Sequence, residues 1–491
     1  MTIDARHPLP GRHPLVVGAA RSGIAAARLL RRHELDVRVC DRRAASAAGE
    51  AVATLAGLGV DTVWGSDDPA LLAGRDVLIW SPGIPIGHPL AAAARARAIP
   101  VLSELELGYL AAQAPFICIT GTNGKSTTTD LVGALIRATG REVAVCGNIG
   151  VPVCEVAERI GSDGLLVVEV SSFQLESVER LEPFVATWLN LTPDHLDRHG
   201  DFAAYAAMKQ RLFARQTETD YGVWAADDPE VMARRSGAGT PLTFSAQHRV
   251  DAGAWLDHGV LTLAWRGGQE ALMPASELRL RGAHNVMNVL AALATVLPLE
   301  IAPGTLRQVL HDYRGLEHRL EPVAVVDSVE FVNDSKATNV GSQAVALESV
   351  PPPLVLIAGG RDKGQDFRPL AAQVARTVAH VVLIGEGAGR IAAAWPGVAQ
   401  SRAATLADAV DQAFERARAM ARATAPGDTH AGAGTEPRGR AIAPADDTTA
   451  TRATVLFSPG CASFDMFQDY EDRGRRFKAE VARLDRTEAR T

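Results

Sequence analysis

The chain has 491 residues, too many for one ordinary hydrophobic core, and at roughly 150 residues per domain it predicts about three domains. Hydrophobic residues at 47% and charged residues at 22% exclude a largely disordered chain. A formal charge of -7 excludes the basic excess of a nucleic-acid binder, so the expected partners are small molecules.

The opening stretch MTIDARHPLPGRHPLVV lacks an apolar segment leading to a small-residue cleavage site, and no run approaches transmembrane length. A cytoplasmic protein without membrane insertion is expected. The cysteines Cys40, Cys118, Cys146, Cys154 and Cys461 are odd in number, form no CxxC pair and lie mostly in apolar, strand-like contexts. They read as reduced thiols rather than a disulfide framework or metal site.

Short apolar runs ending in Gly- or Ser/Thr-rich turns, each followed by an Ala/Leu/Arg-rich helical stretch, recur from end to end. This is the pattern of βαβ units and parallel sheets. Strands at 15–17, 37–40 and 76–80, with a helix at 24–32, define a first domain over residues 1–105. After its first strand, Gly18-Ala19-Ala20-Arg21-Ser22-Gly23 is a GxGxxG turn without its middle glycine. With Asp41 after the second strand, it predicts only a poor dinucleotide site. A second domain, 106–315, has strands at 116–119, 165–170 and 187–191. A third, 316–491, has strands at 323–326, 354–358, 381–384 and 455–457 and again reads as doubly wound. The stretch 423–453, rich in Gly, Ala, Thr, Pro and Asp, reads as a mobile surface insertion.

The second domain begins with the densest chemistry. Residues 117–120 supply a strand, Gly121-Thr122-Asn123-Gly124-Lys125-Ser126 a turn, and Thr127 onward a helix, so successive amides and the helix dipole face one anion. Lys125 would neutralise β- and γ-phosphates, and Ser126 or Thr127 would touch Mg²⁺. The common loop GxxxxGK[ST] needs glycine where this chain has Ile119, so this is the shorter GxxGKS form. A chance Gly-rich turn is the alternative; the flanking strand and helix and the Lys-Ser-Thr run favour nucleotide binding.

Glu169 closes the run LLVVEV and precedes Ser171, Ser172 and Gln174, which puts a carboxylate suited to Mg²⁺ beside the phosphate loop if the two strands are neighbours. In NLTPDHLDRHG, Asp194, His195 and Asp197 crowd another strand end, with His195 open between a ligand and a structural role. Asn285 and Asn288 lie at i and i+3 of a helix, suited to the polar groups of a nucleotide. Further on, HRLE supplies Arg319, FVNDSKATN supplies Asp334, Lys336 and Thr338, and GGRDKGQDF places Arg361 and Lys363 in a Gly-flanked loop. For Asp334 and Lys336 a buried ion pair is the competing reading. In SPGCASFDMF, Ser463 is read as a helix N-cap that leaves the amides of Phe464 and Asp465 to meet a carboxylate.

Taken in order, ITGTNGKSTTT, VEVSSFQLE, NLTPDHLDRHG, GAHNVMN, HRLE, NDSKATN, GGRDKGQDF and SPGCASFDMF resemble the Mur ligases of peptidoglycan synthesis over nearly the whole chain. The resemblance implies an α/β fold of three domains: a Rossmann-like N-terminal domain for a UDP-sugar, a central P-loop-type ATPase domain, and a Rossmann-like C-terminal domain for an amino acid. It implies that ATP phosphorylates the alanine carboxylate of UDP-N-acetylmuramoyl-L-alanine and that the amine of glutamate attacks the acyl phosphate. No DNPR-type loop of the diaminopimelate- or lysine-adding branch is present, so D-glutamate is preferred, with L-glutamate as the variant.

By resemblance, Mg²⁺, as two ions, falls to Ser126, Glu169, His195 and Lys209, the last as a carbamate; a solvated helix residue is the alternative for Lys209. Lys125, Lys336 and Arg319 supply cations where charge accumulates. Adenosine falls to Asn285, Asn288, Arg319 and Asp334. The uridine diphosphate falls to Ala20, Arg21, Asp41, Arg42, Ser81, Pro82 and Gly83, with Asn148 and Gln174 from the second domain. Glutamate falls to Thr338, Lys363, Ser463, Phe464 and Tyr470. A monomer is expected. The rival classes are a non-catalytic nucleotide-sugar sensor and an NAD-dependent oxidoreductase.

Overall fold

The computed structural model describes residues 11–280, 282–362, 364–423 and 453–488, so Lys363 and nearly all of the segment 423–453 lie outside the described residues. The chain divides into two compact units, Met1–Ala275 with Val286–His311, and Ser276–Asn285 with Asp312–Thr491.

The first unit carries two sheets. In one, β1 (Pro14–Val17), β2 (Arg38–Asp41), β3 (Asp61–Trp64), β4 (Val77–Trp80) and β5 (Val101–Ser103) run parallel in the order β3-β2-β1-β4-β5. Runs such as LVV and VLIW are apolar on both faces, which suits strands covered by helices on both sides. Alternate residues separate accordingly. Val16, Val77 and Ile79 pack with Ala26 and Leu29 of the helix Arg21–Arg32, while Leu15, Leu78 and Trp80 pack with Leu90 and Ala94 of the helix Pro89–Ala96. The strand order reverses between β1 and β4, which opens a crevice at their carboxyl ends.

The second sheet comprises β6 (Phe116–Thr120), β7 (Val143–Gly147), β8 (Leu165–Glu169), β9 (Val185–Trp188), β10 (Tyr221–Ala225), β11 (Thr240–Ser245), β12 (Gly253–Asp257), β13 (Val260–Trp265) and β14 (Gly268–Pro274). Their order is β14-β13-β12-β11-β10-β9-β6-β8-β7. β6 therefore lies between β8 and β9, with Ile119 opposite Glu169 on one side and Thr120 opposite Trp188 on the other. Phe116, Ile117, Cys118 and Ile119 are fully buried, and burial of such side chains contributes about 1.5–3 kcal/mol each for the larger ones. The strand expected at 187–191 is shifted: β9 stops at Trp188, because Asn190, Thr192, Pro193 and Asp194 form a polar loop.

The expectation of βαβ units throughout fails at β12–β14, which pair antiparallel. Their two-residue turns, His258-Gly259 and Arg266-Gly267, have positive φ at all four residues, the signature of type I′ hairpins.

In the second unit, β15 (Glu321–Val326), β16 (Val329–Asn333), β17 (Leu354–Gly359), β18 (Val378–Ile384), β19 (Gln400–Arg402) and β20 (Ala453–Phe457) are ordered β15-β16-β20-β17-β18-β19. β15 and β16 form an antiparallel hairpin at one edge; the other pairings are parallel. Because β20 returns between β16 and β17, the motifs NDSKATN, SPGCASF and GGRD follow three adjacent strand ends. All five cysteines are buried and free, and no helix among the described residues is long and apolar enough to cross a membrane.

Candidate active site

The phosphate loop leaves β6 with Gly121 at φ +156° and Gly124 at φ +82°. The helix Lys125–Arg137 follows directly, so the loop amides and the helix start share one face. The loop is held from β9's side. Asn190 Oδ1 accepts from the amides of Thr122 (3.0 Å) and Asn123 (2.8 Å), and its Nδ2 donates to the Asn123 carbonyl at 3.0 Å. Lys125 Nζ donates to the carbonyls of Gly121 (3.0 Å) and Thr122 (2.8 Å). Ser126 and Thr127 are buried at the helix start, and Thr122 Oγ1 bonds to Tyr205 Oη at 3.1 Å. Asn285 and Asn288 both lie buried on the helix Ala283–Val296. A Cβ on Gly124 would come within 2.2 Å of Asn288 Oδ1, so that helix presses directly against the loop.

Glu169 ends β8, the strand adjoining β6, as the neighbour condition required. Asn148 Nδ2 donates to its Oε1 at 2.6 Å, while its Oε2 is buried with no hydrogen-bond partner among the described residues. A buried orphaned carboxylate oxygen next to a phosphate loop fits a hard cation such as Mg²⁺. Lys209, on the helix Phe202–Gln210, is 1% exposed, which rules out the solvated alternative. Its Nζ donates to the Gly121 carbonyl at 2.7 Å and lies 4.7 Å from the Tyr205 ring centroid. Burial first, and the charge of Lys125 second, hold this amine well below the usual lysine range, while Asp194 and Glu169 pull the other way. His195 follows β9 in left-handed backbone at φ +53°, half exposed, with its ring 4.8 Å from that of Phe173 and Nε2 3.4 Å from Asp194 Oδ2.

Around the crevice of the first sheet, Gly18, Ala20 and Arg21 follow β1, Asp41 ends β2, and Ser81–Gly83 follow β4. Ser81 Oγ is buried without a hydrogen-bond partner among the described residues. Asp41 Oδ2 accepts from the Ala19 amide at 2.8 Å, and both its oxygens accept from Arg43. Burial opposes ionisation there, yet these hydrogen bonds bring the carboxyl down to about 2. Arg43 is thus the arginine engaged with Asp41, and its neighbour Arg42 is exposed. Arg21 donates to the Gly150 carbonyl, and Gln174 Oε1 accepts from the Ser171 amide and hydroxyl at 3.0 Å each.

In the second unit, Asp334 follows β16 and accepts from Ser458 Oγ at 2.8 Å and the Leu320 amide at 3.3 Å. Burial raises its carboxyl to about 7. Lys336 Nζ lies 4.9 Å from the centroid of the Tyr470 ring and donates to its hydroxyl at 3.3 Å. Thr338, two residues after Lys336, is partly buried, as is Arg319, which precedes the Leu320 whose amide meets Asp334. Ser463 does not cap a helix as expected. It closes a turn in which its carbonyl accepts from the Met466 and Phe467 amides, and the helix starts only at Tyr470. Phe464 is 59% exposed beside it.

Three residues that the sequence reading missed build these sites. Asn190 and Tyr205 brace the phosphate loop. Arg473, fully buried, donates through Nε to Ser335 Oγ (3.0 Å), through Nη2 to the Ser335 carbonyl (2.6 Å) and through Nη1 to the Cys461 carbonyl (3.0 Å). It thereby fixes the loops bearing Lys336 and Ser463. For Asn190 the available signal was an amide side chain two residues past a strand end.

Comparison with known proteins agrees with this geometry. Residues 12–103 match the Mur ligase MurD-like N-terminal domain, 119–296 the Mur ligase middle domain, and 318–433 the Mur ligase glutamate ligase domain. The chain is 40% identical over 478 residues to the UDP-N-acetylmuramoylalanine--D-glutamate ligase of Geobacter metallireducens, covering 97% of this chain and 98% of that protein. It is 39% identical over 472 residues to the enzyme of the same name from Pelotomaculum thermopropionicum, covering 96% and 97%. The crystal structure of UDP-N-acetylmuramate-alanine ligase from Thermotoga maritima shares the fold at 16% identity, with TM-score 0.56 over 96% of this chain and 99% of that one. The chain belongs to the Mur ligase family.

Proposed function

We propose that this enzyme adds D-glutamate to UDP-N-acetylmuramoyl-L-alanine with hydrolysis of ATP, in cytoplasmic peptidoglycan precursor synthesis. The observation that carries the reading is the orphaned Glu169 oxygen beside a phosphate loop that carries Lys125 and faces the buried Lys209. The full-length likeness to D-glutamate ligases supports the choice of amino acid. The loop amides and Lys125 hold the triphosphate, with Asn285, Asn288, Arg319 and Asp334 toward the nucleoside. Ser81–Gly83, Ala20, Arg21, Asp41, Arg42, Asn148 and Gln174 serve the UDP-sugar, in keeping with the buried Ser81 hydroxyl, which has no hydrogen-bond partner among the described residues. Lys336 supplies a cation where charge accumulates, and Thr338, Lys363, Ser463, Phe464 and Tyr470 serve glutamate, whose amine attacks the acyl phosphate and releases phosphate.

Ser126, Glu169, His195 and Lys209 would hold Mg²⁺, which supplies positive charge where phosphate and carboxylate must meet. The neutral amine that burial favours at Lys209 is the form that adds to CO₂, giving a carbamate and a proton; the product is an oxygen ligand in place of an ammonium. Phosphate release measured with UDP-N-acetylmuramoyl-L-alanine and each glutamate enantiomer tests the reading. Turnover with D-glutamate supports it. Turnover with L-glutamate alone overturns the enantiomer, and binding of both nucleotides without phosphate release would identify a sensor.

A further inference from the structure

Within the first unit, one side chain joins the crevice of the first sheet to the loops around His195. Arg198 lies three residues after His195, on the short turn of helix Leu196–His199. Its Nε and Nη2 donate to the two oxygens of Glu176, at 2.9 and 2.7 Å, and its Cζ lies 4.6 Å from the centroid of the Phe173 ring. The same Nη2 donates to the carbonyls of Pro82 at 3.1 Å and Ile84 at 2.8 Å. The Arg198 and Glu176 side chains are only 11% and 6% exposed, so the pair is largely withdrawn from water and its geometry is strongly held.

Phe173 extends the connection. Its ring lies 4.8 Å from that of His195 and 5.6 Å from that of His199, and His199 Nε2 bonds to Ser172 Oγ at 3.0 Å. Three loops meet at one guanidinium: 81–84 at the crevice, 171–176 after Glu169, and 194–199 bearing His195. Displacing the crevice loop removes two acceptors from Nη2, and the plane of the guanidinium cannot turn without disturbing the Glu176 pair and the Phe173 ring on which His195 rests. Only a planar fork can satisfy a carboxylate, two carbonyls and a ring face together; an ammonium cannot.

We propose that Arg198 is a positioning residue that couples occupancy of the uridine-diphosphate crevice to the arrangement of the nucleotide and metal residues. The proposal rests on the function proposed above. Because such coupling is reciprocal, it is measurable as a change in one ligand's affinity on binding the other. Calorimetric titration of the full-length protein with UDP-N-acetylmuramoyl-L-alanine, with and without Mg²⁺ and a non-hydrolysable ATP analogue, reads it directly.

The wild type is expected to gain about fivefold or more in affinity for the UDP-sugar when the nucleotide is bound. Arg198→Lys is expected to bind each ligand alone within about threefold of wild type and to show no gain. Glu176→Gln, which weakens the brace on the guanidinium, is expected to give an intermediate gain. It also serves as the second variant if Arg198→Lys fails to give wild-type circular dichroism. Retention of the full gain in a folded variant, or absence of any gain in the wild type, overturns the positioning role while leaving turnover intact. Failure of the wild type to bind UDP-sugar and nucleotide at all overturns the functional reading itself.

Discussion

Two turns in this chain occupy the same topological place and do different work. Each leaves a parallel strand with a glycine and enters a helix, the first after β1 at Gly18–Arg21 and the second after β6 at Gly121–Lys125. In both, glycine serves backbone direction and close packing: Gly18 has φ +95° and Gly124 φ +82°. A Cβ on Gly23 would fall 1.8 Å from the Gly18 carbonyl oxygen, and one on Gly18 would fall 2.7 Å from Ser81 Oγ. In the second, a Cβ on Gly124 would fall 2.2 Å from Asn288 Oδ1, and the difference lies at the helix start, where Lys125, Ser126 and Thr127 stand in place of Arg21, Ser22 and Gly23. The dinucleotide reading of the first turn gives way to the Mur ligase N-terminal domain matched over residues 12–103, in which the Asp41 carboxylate also ties the turn together through the Ala19 amide and Arg43. Glycine spacing thus sets how closely chains approach, and the first helical turn decides what is bound.

Substitutions that strike one turn and spare the other test this contrast. Lys209→Ala should lower phosphate release by on the order of a thousandfold while nucleotide still binds, since a metal ligand is lost and the loop is kept; unchanged turnover would refute the carbamate. Gly124→Ala should cost about a hundredfold or more in kcat/KM for ATP, because its φ of +82° and its proximity to Asn288 both resist a side chain. Affinity for UDP alone should stay as in the wild type, and a parallel loss there would break the contrast. Asn190→Ala should cost about tenfold in kcat/KM for ATP, the effect of about 1.4 kcal/mol of lost loop hydrogen bonding.

The smallest effect is expected from Asp41→Asn, about 1–2 kcal/mol of stability measured by urea unfolding at neutral pH. Asp41 is depressed from 3.8 to about 2, so its contribution is present above pH 4 and lost as pH falls through that window. Wild type and variant should therefore converge in stability near pH 2, and a gap that persists there would remove the charge of Asp41 as its source.

How much of this was legible depended on distance along the chain. The phosphate loop, its strand and its helix are contiguous, and the neighbouring Glu169 strand is continuously apolar, so periodicity and motif agreed. The β12–β14 meander was not read because its turns are His-Gly and Arg-Gly rather than the Asn-Gly or Asp-Gly that announces a type I′ hairpin. Arg473 resembles any basic residue of a charged helix. Its partner Ser335 lies 138 residues away, and only the sheet order, with β20 returning between β16 and β17, brings them together. The Ser463 cap failed because a serine before a few apolar residues also suits a tight turn.

Asn190 bears on why so short a phosphate loop can work. Its side-chain amide accepts from two loop N–H groups and donates to one loop carbonyl, the same complement of bonds that a backbone peptide unit offers. In effect the loop borrows a link from the neighbouring strand, and its curvature is completed by a residue sixty-seven positions further along the chain. Lengthening the loop toward the common spacing would make that borrowed link redundant, so loop length and the identity of residue 190 should vary together among phosphate loops of this build.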